Sequence, residues 1–404
     1  MARYILNRVL SGVLTLFLFV TIMFFVVQIA LPGDFVTSLG PMTAEDAADL
    51  RQQYGLDRPL YVQYFGWLGS ILTLDLGLSF ARGPVWEAVR EAMAPTLVVL
   101  VLGLAIAFIL GSWLGRTAGF RGTSLLSGAI TFVAVVCLTL FPPSLAVAME
   151  QGILRNAGWS FLGRIGTIDS EDWVTSQLTT SQVLWSTLLV FALTLLALWL
   201  IEAVVWRVTR RRIPRWAFLI LIVAIPLIIW SRTGLSGRVL DLAGSLSLLI
   251  VAVVIITFGE VALVTRAAMD DVMMEDYVMV ARAKGLHERH VRDRHAARAS
   301  LLPVLSRFTV AIPYFLTGLV ILEVVFGSSH QGAGIPITGT LMRFSAPTGL
   351  GTLLFDSLAD QDIPMLIGAL LIVGLITLGL RIVLDVMHAG LDPRVRFGDD
   401  VNGS

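Results

Sequence analysis

Cysteine and lysine are almost absent from this chain of 404 residues, which has one of each, Cys137 and Lys284. One cysteine rules out an internal disulfide and a cysteine-built metal cluster; its place in an apolar run makes it a small buried hydrophobe. The lone lysine is followed by Gly285 and Leu286. The chain therefore has no G-x-x-x-x-G-K-S/T phosphate loop and is not expected to hydrolyse ATP. Charge is scarce and balanced, with 29 basic and 29 acidic residues, so global charge points to neither nucleic acid nor an acidic partner. His287 and His290 stand three positions apart around Glu288, whereas H-E-x-x-H needs four to bring both imidazoles to one helix face. His295 adds a third imidazole, but the surrounding arginines make this a solvated basic helix. With no G-x-S-x-G elbow either, no catalytic, cofactor-binding or metal-ligating residue is assigned, and a membrane enzyme is the weakest reading.

Apolar sequence is what the chain has in quantity. Hydrophobic residues make up 56% and the mean hydropathy is +0.83, the signature of one polytopic membrane domain. The expected fold class is all-α. A bilayer core of roughly 30 Å takes about 20 residues at 1.5 Å each. Eight runs qualify: Val9 to Leu31, Leu97 to Leu114, Leu125 to Val147, Val183 to Trp206, Trp216 to Trp230, Leu246 to Val264, Phe308 to Phe326 and Ile363 to Leu384. The fifth covers only about 22 Å by itself. With eight spans, both termini and the Arg-rich loops at 115–124, 207–215 and 265–307 share one side, which the positive-inside rule makes cytoplasmic. The basic start, Arg3 to Arg8, precedes an apolar run without a small-residue cleavage site and reads as a retained signal anchor.

Within the spans, Pro142-Pro143, Pro226 and Pro313 favour kinks. Trp67, Trp86, Trp159, Trp173, Trp185, Trp206, Trp216 and Trp230 are read as interfacial anchors. Glu202, Glu260 and Arg381 lie toward the cytoplasmic ends of their spans, where snorkelling or helix contacts lower their cost. The segment from Pro32 to Ala94 reads as short amphipathic helices on the outer surface, with turns at Asp57-Arg58-Pro59 and Gly77.

The most informative stretch is the cytoplasmic run from Glu275 to Leu286, with Pro303 eighteen positions after Gly285. Met269, Met273, Tyr277 and Val280 recur at helical spacing, and Gly285 suits a left-handed C-terminal cap. Asp276-Tyr277-Val278 and Ala281-Arg282-Ala283-Lys284-Gly285-Leu286, with His295-Ala296 and Leu302-Pro303, resemble the EAA loop of bacterial ABC importer permeases of the dipeptide, oligopeptide and nickel family. Further blocks agree in order: Ala30-Leu31-Pro32-Gly33-Asp34, Gly55 to Leu60, Asp75-Leu76-Gly77 with Ser79, Pro95-Thr96-Leu97, Glu323-Val324-Val325-Phe326 and Leu391 to Arg396. Two departures stand out. The region 148–245 looks inserted and carries two extra apolar segments, and the usual Pro-Gly-Leu-Gly after Glu323 looks replaced by His330-Gln331-Gly332-Ala333-Gly334, with a long loop before Asp362.

The resemblance implies a six-span, type I importer permease core with two extra spans. Its parts are an anchor helix (1–31), an extracytoplasmic loop (32–94), core spans (95–147), an inserted region (148–245) and the remaining core (246–404), which contains the coupling loop 265–307. It implies a bacterial or archaeal cytoplasmic membrane, a second homologous permease, two ABC ATPases that carry the ATP and Mg, and an extracytoplasmic solute-binding protein. Peptides lead as solute; a nickel or other metal chelate and oligosaccharides stay open, as does which residues line the path. The residues expected to couple to the ATPases are Met273, Glu275, Asp276, Tyr277, Val280, Ala281, Arg282, Ala283, Lys284, Gly285, Leu286 and Pro303, with Met273, Tyr277 and Val280 as an apolar knob. A secondary transporter or channel would instead show inverted repeats and intramembrane charge pairs.

Overall fold

A computed structural model describes residues 2–30, 35–38, 42–53, 55–73, 75–80, 82–122, 124–155, 179–209, 214–328, 336–337, 340–341 and 349–391. The runs 156–178 and 210–213, the replacement at His330–Gly334 and the tail from Asp392 lie outside the described residues. The long elements are α1 (Ala2–Ala30), α5 (Val85–Phe120), α8 (Thr180–Thr209), α10 (Ser236–Met273), α13 (Ala297–Ser328) and α15 (Ile363–Leu391). Among the described residues these six are long and apolar enough to cross a membrane singly. Backbone groups find no water in hydrocarbon, so each must be satisfied within its own helix. The chain is an all-α polytopic membrane protein.

The two longest helices, α5 and α10, form the spine. Gly111, Gly115 and Gly119 repeat every fourth position along α5, and this stripe lets the backbones approach closely. A Cβ on Gly115 would lie 2.5 Å from the Ala262 carbonyl oxygen, and one on Gly119 would lie 2.8 Å from that of Arg266. Helix α6 (Leu125–Thr139) packs on the other side of α10. Around this spine, Leu100, Leu242, Leu246, Phe315, Leu319 and Leu322 are fully or nearly fully buried, bringing α13 into the core. Arg8 pairs with Asp385 at 3.1 Å, so the start of α1 and the end of α15 lie at one end of the bundle.

Two expected spans differ from the rest. The run 125–147 is not one helix: α6 ends at Thr139, Leu140 is extended, and α7 (Pro142–Arg155) leaves at 101°. Pro142 lacks an N–H and restricts the residue before it, so it starts a helix more readily than it continues one. The short fifth run is part of α9 (Arg215–Thr233), whose described apolar stretch, Ile220–Thr233, is too short to qualify as a span alone. It ends at Gly234 in a left-handed conformation, φ 71°. Trp185 and Trp230 are not simple interfacial anchors: the Trp185 indole donates to the Arg90 carbonyl at 3.1 Å, and Trp230 is buried edge-on against Phe191.

Beyond the C-terminal end of α1 come three short helices, α2 (Phe35–Ser38), α3 (Ala44–Gln53) and α4 (Leu60–Leu72). Gly55, φ 67°, closes α3: Leu56 N–H bonds Arg51 O and Gly55 N–H bonds Gln52 O, which is a Schellman motif. Phe24, Phe25, Tyr64 and Trp67 cluster between α1 and α4, with ring centroids 5.3 to 6.1 Å apart. A small hairpin of β1 (Leu78–Ser79) and β2 (Gly83–Pro84) follows, and α14 (Leu350–Ala359) returns beneath it toward α15.

Candidate coupling surface

Helix α10 stops at Met273, the chain turns through Met274 and Glu275, and a separate helix, α11 (Asp276–Ala283), runs from there. The turn divides the methionine and tyrosine stripe between two surfaces. Met269 is fully buried, and Met273 packs beneath α11 with Val272, against buried Val278, Ala281 and Val291. Ala281 is buried and Met273 only partly exposed, so both pack beneath α11, and Met273 adds less to the exposed knob than Tyr277 and Val280. The exposed apolar surface consists of Met274, Tyr277, Met279 and Val280, at 87, 42, 67 and 51% exposure. Met274 and Met279 were missed in sequence because they fall off the helical stripe; their signal was only that they are large apolar residues in a polar loop.

The end of α11 is built as its glycine implies. Leu286 N–H bonds Ala281 O at 3.4 Å and Gly285 N–H bonds Arg282 O at 2.9 Å, with Gly285 at φ 72°. This is a Schellman cap. Arg282 then reaches across the turn to Glu288 at 3.1 Å. His287 accepts from Arg289 N–H at the start of α12 (Glu288–His290), which leads through a π-helical turn at Val291–Ala296 into α13. Glu275, Asp276, Ala283, Lys284 and Leu286 are exposed around the cap, and Pro303 sits exposed within α13. Burial raises the Tyr277 phenol, with Glu275 adding to the shift. The Asp293 carboxyl is held below the usual carboxylate range by its bond to Arg292, aided by Arg116 and Arg289. The surface is thus an apolar patch with a charged rim on a short, braced helix.

The structure also joins blocks that lie far apart in sequence. Glu323, 4% exposed in α13, accepts from the Thr96 hydroxyl at 2.7 Å and from Gly351 N–H at 2.7 Å, while Leu350 N–H donates to Thr96 at 2.9 Å. Gly349-Leu350-Gly351 thus provides the Gly-Leu-Gly element that pairs with the Glu323 block. The expected replacement at His330–Gly334 lies outside the described residues. A second junction ties Asp362 to the Ser79 hydroxyl, with Met365 N–H donating to Asp362 at 3.3 Å. Beside it Arg82 pairs with Asp356 at 3.0 Å. Within the spans, Arg307 of α13 bonds Glu260 of α10 at 3.2 Å, a charge pair not anticipated from sequence because its members are 47 positions apart.

Residues 190–397 match the family described as binding-protein-dependent transport system inner membrane component, and residues 1–99 match that family's N-terminal domain. The chain belongs to this family. It is a membrane permease subunit of an ABC importer and not itself the ATPase. The permease is similar to the oligopeptide transport system permease protein AppB of Bacillus subtilis, with 25% identity over 98% of this chain and 100% of that one. It is similar to the dipeptide transport system permease protein DppB of Lactococcus lactis at 26%, over the same shares. The glutathione transport system permease protein GsiC of Shigella boydii is 26% identical, again over 98% and 100%.

Proposed function

We propose that the permease forms half of a path for di- and oligopeptides across a bacterial or archaeal inner membrane, with both termini in the cytoplasm. A second homologous permease forms the other half, an extracytoplasmic binding protein delivers the solute, and two ATPases carry ATP and Mg. The observation that carries this reading is the exposed patch of Met274, Tyr277, Met279 and Val280 on a helix closed by Gly285. Apolar side chains with a charged rim are what a partner groove takes up, and a helix fixed at both ends transmits displacement to α10 and α13.

The peptide assignment draws support from the relatives named for oligopeptides, dipeptides and glutathione. An exposed stripe of mixed polarity, Ser306, Arg307, Val310, Pro313, Tyr314 and Thr317, runs along α13 inside its span. Polar groups exposed at that depth are costly against lipid and suit an aqueous path. Eight crossings, counting α6 with α7 as one and α9 as one, agree with the even number implied by the Arg8–Asp385 pair.

The test is affinity purification of the tagged permease from its native membrane, followed by reconstitution. Two ATPases and a second permease should co-purify, and ATP-dependent uptake of labelled di- and tripeptides should depend on the binding protein. Uptake of a nickel chelate or an oligosaccharide in place of peptides would replace the solute assignment. Uptake by this chain alone, driven by an ion gradient, would sink the partner assignment.

A further inference from the structure

A cavity of about 360 Å³ opens between α5, α10 and the start of α13, immediately above the π-helical turn that follows the coupling surface. Its walls are apolar, from Phe108, Trp113, Leu301 and Val304. Three hydroxyls also face it. Those of Ser112 and Ser300 donate to carbonyls of their own helices. The third, Thr265, is 2% exposed and has no hydrogen-bond partner among the described residues. A buried hydroxyl without a partner is costly, so a ligand that supplies one is favoured. Arg116 lines the same cavity, its guanidinium held against the wall by an Nε–H bond to Ser112 O at 2.9 Å.

The position of the mouth selects the occupant. It opens at Ile109 and Trp113, at 65 and 57% exposure, on a face of α5 continued by Leu102, Ile106 and Leu110. That stripe is apolar throughout and lies inside the span of α5, where an exposed apolar face suits acyl chains. Arg116 is the one basic residue in the lining; Arg266 and Arg292, outside it, are paired with Asp270 and Asp293.

We propose that this cavity binds one anionic phospholipid, with an acyl chain against Phe108, Trp113 and Leu301, the phosphate at Arg116, and an ester or phosphate oxygen accepting from Thr265. Such a lipid wedges α5 against α13 at the base of the coupling loop. Membrane anionic lipid then sets how firmly that junction is held.

The experiment uses the full-length permease purified in mild detergent, exchanged free of lipid, then titrated with phosphatidylglycerol or phosphatidylcholine and read by native mass spectrometry. One phosphatidylglycerol per chain is expected, retained in preference to phosphatidylcholine. Arg116→Gln should abolish the preference, and Thr265→Val should weaken retention roughly tenfold, as loss of one hydrogen bond to a charged group does. Ser300→Leu fills the cavity and should prevent binding. Because Ser300 is itself buried, Ile109→Trp at the exposed mouth gives a second block that does not depend on repacking the core. Equal retention of both lipids by the wild type would overturn the proposal, as would unchanged retention by Ile109→Trp. Inorganic phosphate raising the aggregation temperature as much as phosphatidylglycerol would overturn the lipid assignment.

Discussion

The hydroxyl of Thr96 donates to the Glu323 carboxylate at 2.7 Å across 227 positions of sequence, and the same oxygen accepts from Leu350 N–H. One threonine therefore joins α5, α13 and the start of α14. Thr96→Val removes donor and acceptor together and leaves Leu350 N–H and a carboxylate oxygen unsatisfied in a buried site. The expected cost is about 1.5–3 kcal/mol, and Thr96→Ser should restore most of it. The measurement is the aggregation temperature of the detergent-purified protein. A Thr96→Val protein as heat-resistant as the wild type would show that the junction adds nothing.

The glycine stripe of α5 should tolerate no side chain. A Cβ at Gly115 meets the Ala262 carbonyl oxygen at 2.5 Å, and backbone cannot rotate away as a flexible side chain can. Gly115→Leu should destabilise by about 1–3 kcal/mol or more by forcing α5 from α10. Gly128→Ala, where a Cβ has nothing within 4 Å, serves as the control and should purify in wild-type yield. Equal yields of both would contradict the close approach.

At the coupling surface, Gly285 has open space around its missing side chain but a φ of 72°, so any penalty there is conformational. Gly285→Val should cost about 1–2 kcal/mol locally and re-aim α12. Peptide uptake and solute-stimulated ATP hydrolysis should fall while the binding protein still binds peptide. Gly285→Asn, which tolerates the left-handed region better, should fall less. Tyr277→Ala should act in the same direction, and the double variant with Gly285→Val should lose less than the sum because both weaken one contact. Wild-type uptake by both single variants at equal expression would refute the assignment.

The two methionines separate structure from coupling. Met279→Ala removes an exposed group and should lower uptake without changing heat resistance. Met273→Ala removes packing beneath Val278 and should lower heat resistance as well. Identical behaviour of the two variants would undo the division made by the turn at Met274.

Topology around α9 can be read from its ends. In a Cys137→Ser background, Arg207→Cys at the end of α8 should resist an impermeant thiol reagent in intact cells, and Ser236→Cys at the start of α10 should react. Labelling of both from outside, or of neither, would mean that α9 does not cross.

Sequence alone determined what depends on the solvent and on local backbone geometry. Long apolar runs must be helices in hydrocarbon because no other backbone state satisfies itself there, and six of the eight expected runs coincide with long single helices. Gly285 could be placed at a left-handed cap because a helix end and its cap lie within six residues. The tertiary structure decided what depends on which distant surfaces meet. Met273 packs beneath α11 and Met279 is exposed because the chain turns at Met274 and Val291 returns beneath α11. Glu323 finds Gly351 28 positions further on, a pairing set by how α13 and α14 pack and not by any local pattern. The break between α6 and α7 was foreseeable as a kink at Pro142, but its 101° angle was not. Proline removes one hydrogen bond and restricts its neighbour, and packing against α10 and α13 selects the direction that the freed chain takes.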